Sequence, residues 1–237
     1  MGSGIQQNRI SILCTRPLNK SLVSAAEKMG IFIEESPFIE TEPIQSIEVQ
    51  QEIEQALIKM ATVVFTSMNA VEAVAFYQDE IKPDWDIYCI GTTTNSLVKK
   101  YFGEDKIKGI ANDAAELAEL IAEDRFTDEV IFFCGDQRRD ELPSILRSND
   151  IDVNEITVYQ TIQLPHKIEK EYHGILFFSP SAVESFFRKN KLPSSTVLFA
   201  IGNTTANEIR KYTGNKIIIS NAPGKESLVE KMIEYFT

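Results

Sequence analysis

The chain has 237 residues, of which 43% are hydrophobic and 25% are charged. This composition is typical of a globular protein, and the length suits two small domains better than one. The formal net charge of −11 repels nucleic acids and anionic membranes at long range, so we expect neither as a partner. No apolar stretch approaches the roughly 20 residues of a membrane span, and no signal peptide is visible, so a cytoplasmic location is expected.

Short apolar runs that lead into helical patterns recur along the chain. Such runs are typical of buried strands, and their alternation with helices predicts an α/β fold with mostly parallel sheets flanked by helices. In chain order they are RISILCT (9–15), TVVFTS (62–67), DIYCIG (86–91), EVIFFCG (129–135), GILFFS (174–179) and TVLFAIG (196–202).

The sequence also contains an internal duplication in permuted order. FTSMNAVEAVAFY (65–77) aligns with FFSPSAVESFFRK (177–189), and CIGTTTNSLVKKY (89–101) aligns with AIGNTTANEIRKY (200–212). The first copy continues with a further unit after residue 122, which the second copy lacks at its end. The N-terminal segment of the chain matches this unit, and Cys14 aligns with Cys134. The simplest interpretation is two similar domains, one inserted into the other.

The duplication predicts the domain boundaries. An inserted domain spans 44–158, and a discontinuous domain combines 1–36 with 165–237. The chain must then cross twice, at 37–43 and 159–164, and both crossings are β-rich and bracketed by proline. We expect them to pair as a two-stranded β connector, and so thin a connection predicts relative domain motion.

Small polar residues collect where strands lead into helices. In open α/β sheets ligands bind at the carboxyl ends of strands, where helix N-termini offer free N–H groups. Segments 69–72, 181–184 and 205–208 fit the capping-box pattern, a polar residue with Glu three positions later. One interpretation is that these side chains only cap helices; the other is that together they line a cleft that binds carboxylates.

Two arginines, Arg16 and Arg139, follow predicted strands in the same way, with Arg138 beside the second. They are either solvated surface residues or charge-assisted forks for a carboxylate. No dinucleotide fingerprint, P-loop, nucleophile elbow or zinc-protease motif is present. The single, scattered cysteines (Cys14, Cys89, Cys134) and histidines (His166, His173) indicate neither a disulfide framework nor a metal site.

The ordered set of motifs resembles the uroporphyrinogen-III synthase family over nearly the whole chain. The motifs are CTRP (14–17), FTSMNAV (65–71), IGTTT (90–94), GDQRRDEL (135–142), VYQT (158–161), FFSPSAVESF (177–186) and AIGNTTANEI (200–209). One departure is NAPGKESL (221–228), where Gly224 replaces the hydroxyl residue usual after that proline.

The resemblance implies a lyase of tetrapyrrole biosynthesis with two α/β domains and an active site in the cleft. Its substrate would be hydroxymethylbilane, a linear tetrapyrrole with eight carboxylates, which the enzyme cyclises with inversion of ring D and loss of water. No metal or organic cofactor would be used. Tyr159 is the candidate general acid that protonates the departing hydroxyl. By the same resemblance, the candidate substrate-binding residues are Arg16, Thr66, Ser67, Asn69, Thr94, Arg139, Ser179, Ser181, Thr204 and Thr205.

Two other functions fit the same pattern. A non-catalytic clamp would sense a tetrapyrrole or another polyanion, but such modules usually come fused to a signalling segment, and none is evident. A periplasmic-type solute-binding clamp would need a signal peptide. No unmatched apolar helix calls for a partner, so a monomer is the default expectation.

Overall fold

The computed structural model describes residues 9–124, 127–222 and 224–237. Contacts divide the chain into two compact units. Unit 1 comprises the described residues up to Glu40 together with those from Ile162 onward, and unit 2 is Thr41–Thr161. The predicted domain boundaries, and independent folding of each unit, stay predictions.

The strands and helices alternate along most of the chain. The strands are β1 (Ile10–Cys14), β2 (Ile31–Glu35), β3 (Ile39–Pro43), β4 (Ala61–Phe65), β5 (Trp85–Ile90), β6 (Ile107–Ala111), β7 (Glu129–Gly135), β8 (Asp152–Gln163), β9 (Gly174–Phe177), β10 (Val197–Ala200) and β11 (Ile217–Ile219). The helices are α1 (Lys20–Lys28), α2 (Ile47–Leu57), α3 (Met68–Ala75), α4 (Gly91–Tyr101), α5 (Ala114–Ala122), α6 (Glu141–Ser148), α7 (Pro180–Phe187), α8 (Asn203–Arg210) and α9 (Lys225–Phe236).

Each unit contains one sheet. Unit 1 has the strand order β11-β10-β9-β1-β2, and unit 2 has β3-β8-β7-β4-β5-β6. All the strand pairs of unit 1 are parallel, as are those from β8 to β6 in unit 2. When β9 is matched with β4 and β1 with β7, the five strands of unit 1 have the same order as β6-β5-β4-β7-β8 of unit 2, and β3 is an additional edge strand. The predicted α/β fold class with two similar units is therefore confirmed.

The central strands bury both faces, which explains their uninterrupted apolar sequences. In β7, Ile131 and Phe133 pack with residues of α2, α3 and α4 on one face of the sheet. The alternate residues Phe132 and Cys134 pack with α5 and α6 on the other face. Unit 1 is built the same way: α7 and α8 cover one face of its sheet, and α1 and α9 cover the other.

The two segments through which the chain crosses between units are paired. Leu164 N donates to Phe38 O at 2.8 Å, and Ile44 N donates to Val158 O at 2.9 Å. Because the residue number falls on one segment as it rises on the other, β3 and the end of β8 run antiparallel. Among the described residues, no helix is long and apolar enough to cross a membrane.

Phe133 lies at the centre of the unit 2 core. Its ring is 5.4 Å from that of Phe65 and 5.8 Å from that of Trp85, and all three side chains are buried. The indole of Trp85 also donates to the carbonyl of Ala56 at 3.0 Å. Since Trp85 is the only tryptophan in the sequence, its fluorescence reports on this unit.

We predict that Phe133→Ala lowers the free energy of unfolding of unit 2 by about 3–5 kcal/mol, because it leaves a cavity between packed aromatic rings. Urea unfolding followed by Trp85 fluorescence measures the change. The control is Phe76→Ala, whose side chain is 70% exposed and should shift stability by no more than about 0.5 kcal/mol. Equal effects of the two substitutions would contradict the assignment of the core.

Candidate active site

Helix α3 begins at the carboxyl end of β4, and Ser67 is its N-cap. Ser67 has extended backbone angles (φ −143°, ψ 138°), and its hydroxyl oxygen accepts from the N–H of Asn69 at 3.2 Å. Thr66, Ser67 and Asn69 are all half-buried at this edge of the sheet. The FTSMN segment therefore turns from strand to helix while its polar atoms stay partly open to solvent.

Helix α7 of unit 1 begins in the same way. Ser179, also extended (φ −157°, ψ 156°), accepts from the N–H of Ala182 at 3.2 Å. Pro180 takes the first helical position, where its fixed φ suits the helix and its missing N–H costs no hydrogen bond. Ser181 follows, half-buried, in the first turn.

The predicted capping boxes are wrong. Asn69, Ser181 and Thr205 lie inside the first turns of α3, α7 and α8, not at the N-cap positions. The caps of α3 and α7 are serines two residues earlier, because the chain leaves the extended conformation only after Ser67 and Ser179. A Glu three residues after a polar residue does not by itself locate a helix start.

Helices α4 and α8 begin without a side-chain cap. Their N-cap residues are Ile90, whose side chain is apolar, and Gly202, which has none. The first N–H groups of a helix have no partner within it, so these two ends remain available to an external acceptor. Thr204 is exposed at the α8 end, whereas Thr94 and Thr205 are only 6% and 2% exposed. Backbone N–H groups and Thr204 are therefore better placed than the two buried threonines to contact a ligand.

The adjacent arginines after β7 differ in their contacts. Arg138 forms ion pairs with Glu155 and with Asp140, the latter at 3.0 Å. Arg139 is exposed and forms no ion pair within the part of the chain that the structure describes. Of the two, Arg139 is the one whose guanidinium is free to bind a ligand carboxylate.

Tyr159 lies directly against the backbone of Gly135. A Cβ atom at Gly135 would come within 2.3 Å of the Tyr159 ring and 2.7 Å of its hydroxyl, so a larger residue there would displace the Tyr159 ring. A register shift between β7 and β8 at this point brings the two residues opposite each other. Asp136 holds the arrangement, since its N–H donates to Tyr159 O at 3.1 Å and its carboxylate accepts from Thr161 N at 2.9 Å.

Burial raises the pKa of the Tyr159 phenol, and interaction with the Ser67 side chain only partly offsets this rise. The negative charge of Asp136 acts in the same direction as burial. A tyrosine phenol is already protonated at neutral pH at its ordinary pKa of about 10, and the raised pKa makes the proton of Tyr159 harder to lose. Tyr159 is thus a protonated donor beside Ser67 at the carboxyl edge of the unit 2 sheet.

Arg16 follows β1 at the corresponding edge of unit 1. Its guanidinium carbon lies 5.6 Å from the centre of the Phe178 ring, and its carbonyl accepts from the thiol of Cys14 at 3.0 Å. Partial burial lowers the pKa of the guanidinium, although the residue as a whole is exposed. A cation with reduced access to water gains more from a bound anion than a fully solvated one does.

The cysteines and His166 have surroundings typical of structural residues and not of catalytic ones. Burial raises the pKa of Cys14 to about 12 and that of Cys89 to about 11, and it also raises that of Cys134, so none is activated as a nucleophile. His166 stacks on Phe38 with the ring centres 4.0 Å apart. Within the described residues, no group of three or more His, Cys, Asp or Glu side chains is arranged to hold a metal ion.

Two features of these edges were missed from sequence. Gly135 is needed for the close approach of Tyr159, and its position between an apolar strand and the polar DQRR segment was the available signal. Lys225, the first residue of α9, approaches the chain after β1. A lysine directly after a glycine at a helix start was the signal for it.

The fold and the two edges define an α/β protein made of two similar units, each with helix N-termini, hydroxyls and an arginine at the carboxyl ends of its strands. Such edges suit an anionic small molecule. The family described as "Uroporphyrinogen-III synthase HemD" matches residues 20–230. The chain belongs to this family.

Curated relatives agree with the family match. The chain is 27% identical to the porphyrin biosynthesis protein HemD of Ruminiclostridium josui, over 94% of this chain and 48% of that protein. It is 26% identical to the uroporphyrinogen-III synthase of Saccharomyces cerevisiae, over 63% of this chain and 64% of that protein. The chain therefore spans about half to two thirds of the length of these relatives.

Solved structures share the fold. A mutant uroporphyrinogen III synthase from the extremely thermophilic bacterium Thermus thermophilus superposes with a TM-score of 0.63 at 14% identity, covering 96% of this chain and 97% of that one. Uroporphyrinogen-III synthetase from Helicobacter pylori gives 0.61 at 17% identity, covering 95% and 99%. At such identities the likeness concerns the fold alone.

We predict that Ser179→Ala lowers the free energy of unfolding by about 1 kcal/mol, because the α7 N–H groups lose their acceptor. Ser181→Ala should change it by a few tenths of a kcal/mol at most, since the Ser181 side chain does not cap the helix. Denaturant unfolding of both variants makes the comparison. If Ser181→Ala lowered the free energy of unfolding more than Ser179→Ala does, Ser181 and not Ser179 would be the capping residue of α7.

Proposed function

We propose that this chain is a uroporphyrinogen-III synthase. It cyclises hydroxymethylbilane to uroporphyrinogen III, inverting ring D and releasing water. The observation that carries the proposal is the protonated phenol of Tyr159, fixed on Gly135 and beside Ser67 at an edge lined with anion-binding groups. Family membership and the names of the relatives support the same activity.

The first step of the proposed reaction is loss of the substrate's terminal hydroxyl. Tyr159 donates its proton as the carbon–oxygen bond breaks, so water departs and a delocalised azafulvenium cation remains. Even with its pKa raised, a phenol is a much stronger acid than water, whose pKa is about 15.7, so the transfer to the departing oxygen is favourable. Ring closure later releases one proton from the attacked pyrrole carbon, which balances the proton given by Tyr159.

The second task is to hold one geometry, because the linear substrate tends to close without inversion of ring D. Eight carboxylates give the protein many points of attachment, and orientation of this kind can contribute several kcal/mol to a rate. The donors we assign to this task are the ends of α4 and α8, the hydroxyls of Ser67 and Thr204, and the guanidinium of Arg139. Because many donors share the carboxylates, single losses among them should be modest.

A coupled assay tests the function. Hydroxymethylbilane is generated in situ, the porphyrinogens are oxidised, and the type I and type III isomers are separated by chromatography. We expect the type III isomer to predominate when the protein is present. Type I product alone, formed at the background rate, would overturn the proposal; bound tetrapyrrole under those conditions would point to the sensing clamp.

We predict that Tyr159→Phe lowers kcat several-fold or more and changes KM little, because the hydroxyl acts on the departing group and binds little of the substrate. Steady-state rates of type III formation measure the effect. The matched control is Tyr77→Phe, which removes a phenol hydroxyl from the same unit after the end of α3. An unchanged kcat for Tyr159→Phe would remove Tyr159 from the mechanism.

A further inference from the structure

Lys225 has an electrostatically unfavourable position. It is the first residue of α9, a 12-residue helix whose N-cap, Gly224, provides no side chain. The N-terminus of a helix carries partial positive charge, so a lysine there is repelled and a carboxylate is attracted. The side chain is nevertheless half-buried, which adds a desolvation cost to the repulsion.

The Lys225 ammonium reaches the segment that follows β1. Its hydrogen bond to the carbonyl of Pro17, next to Arg16, has a donor–acceptor distance of 3.4 Å, which is long. Neither Lys225 nor Arg16 forms an ion pair with any described residue. By contrast, Lys231, six residues further along the same helix, pairs with Glu234 at 2.8 Å.

Two carboxylates, Glu226 and Glu35, influence Lys225, but among the described residues neither forms an ion pair with Lys225 or Arg16. Glu35, at the end of β2, accepts from the N–H of Leu18 at 2.8 Å and does not bridge the two cations. Burial lowers the pKa of Lys225, and the positive charge of Arg16 lowers it further; the charges of Glu226 and Glu35 oppose this only in part. Burial lowers the pKa of Arg16 as well. The Lys225 ammonium thus contacts the residue that follows Arg16, and neither cation is neutralised by an ion pair with a described residue, in a chain of net charge −11.

We propose that Lys225 and Arg16 together bind one carboxylate of the substrate at the carboxyl edge of the unit 1 sheet. The Arg16 guanidinium supplies a planar pair of donors, and Lys225 supplies a point charge close to the first N–H groups of α9. A bound carboxylate removes the mutual repulsion and satisfies the helix end at the same time. The identity of the ligand rests on the proposed function; the presence of an anion site does not.

The test compares Lys225→Ala with Lys225→Arg. We expect Lys225→Ala to raise KM for hydroxymethylbilane about ten-fold and to leave kcat within about two-fold, because the interaction concerns binding. Lys225→Arg keeps the charge and should restore most of the affinity, which a merely structural role would not require. Lys231→Ala removes one positive charge from the same helix and should leave both constants unchanged.

A binding measurement keeps the inference independent of turnover. Quenching of the fluorescence of uroporphyrin III, an octacarboxylate that does not react, gives a Kd for each variant. We expect a loss of about ten-fold for Lys225→Ala and for Arg16→Ala. The double variant should lose less than the product of the two single losses, because both residues hold one carboxylate.

The outcomes separate the two proposals. If the wild-type chain forms the type III isomer while Lys225→Ala leaves KM and Kd unchanged, the Lys225–Arg16 site is overturned and the synthase function stands. If no type III isomer forms while the Kd values shift as expected, the anion site stands and the synthase function fails. If the loss of affinity in the double variant equals the product of the two single losses, Lys225 and Arg16 make separate contacts, and the shared site is overturned.

Discussion

The parallel arrangement of the strands is the constraint on which the candidate site depends. In a parallel sheet every strand ends at the same edge, and each following helix starts there with unpaired N–H groups. Apart from β3, which runs antiparallel at one side of the unit 2 sheet, both sheets have this geometry, so a capping serine follows β4 and another follows β9 at such an edge. The candidate binding groups are therefore gathered by topology, although they come from segments far apart in the sequence.

Charge distribution within this frame decides which cations remain for a ligand. Glu155 engages both Arg138 and Arg147, and Glu208 engages Lys211. Arginine and lysine side chains in such ion pairs contribute little to binding an external anion. In an acidic protein, the cations that can bind a polyanion are those without an ion-pair partner. Arg139, after β7, is exposed and forms no ion pair with a described residue.

Much of the architecture could be predicted from the sequence, because it depends on local patterns. Apolar runs such as VIFFC locate strands buried on both faces, and the permuted duplication predicts two similar α/β units. Features that depend on how strands align in three dimensions could not be predicted. The sequence QRRD does not show that Arg138 forms an ion pair with Glu155 while Arg139 does not, because this ion pair requires β8 to lie beside β7. The contact of Tyr159 with Gly135 has the same origin, because it follows from a register shift between those strands. The helix caps were misplaced for a different reason: in α3, α7 and α8 the polar residue that precedes Glu by three positions lies within the first turn and not before it.

The strand order of unit 1 also governs when the unit can be completed on the ribosome. Its central strand β1 pairs with β2, which follows directly, and with β9, where Ile12 lies beside Gly174. All of unit 2 is synthesised between those two partners. Until β9 emerges, β1 and β2 are a parallel pair with one apolar edge and most of both faces uncovered, an arrangement too small to be stable alone.

Unit 2, whose strands are contiguous in sequence, needs no such late partner. Nascent chains should therefore carry a completed second unit while the first remains open, and the exposed β1 edge is where premature association with other chains would begin.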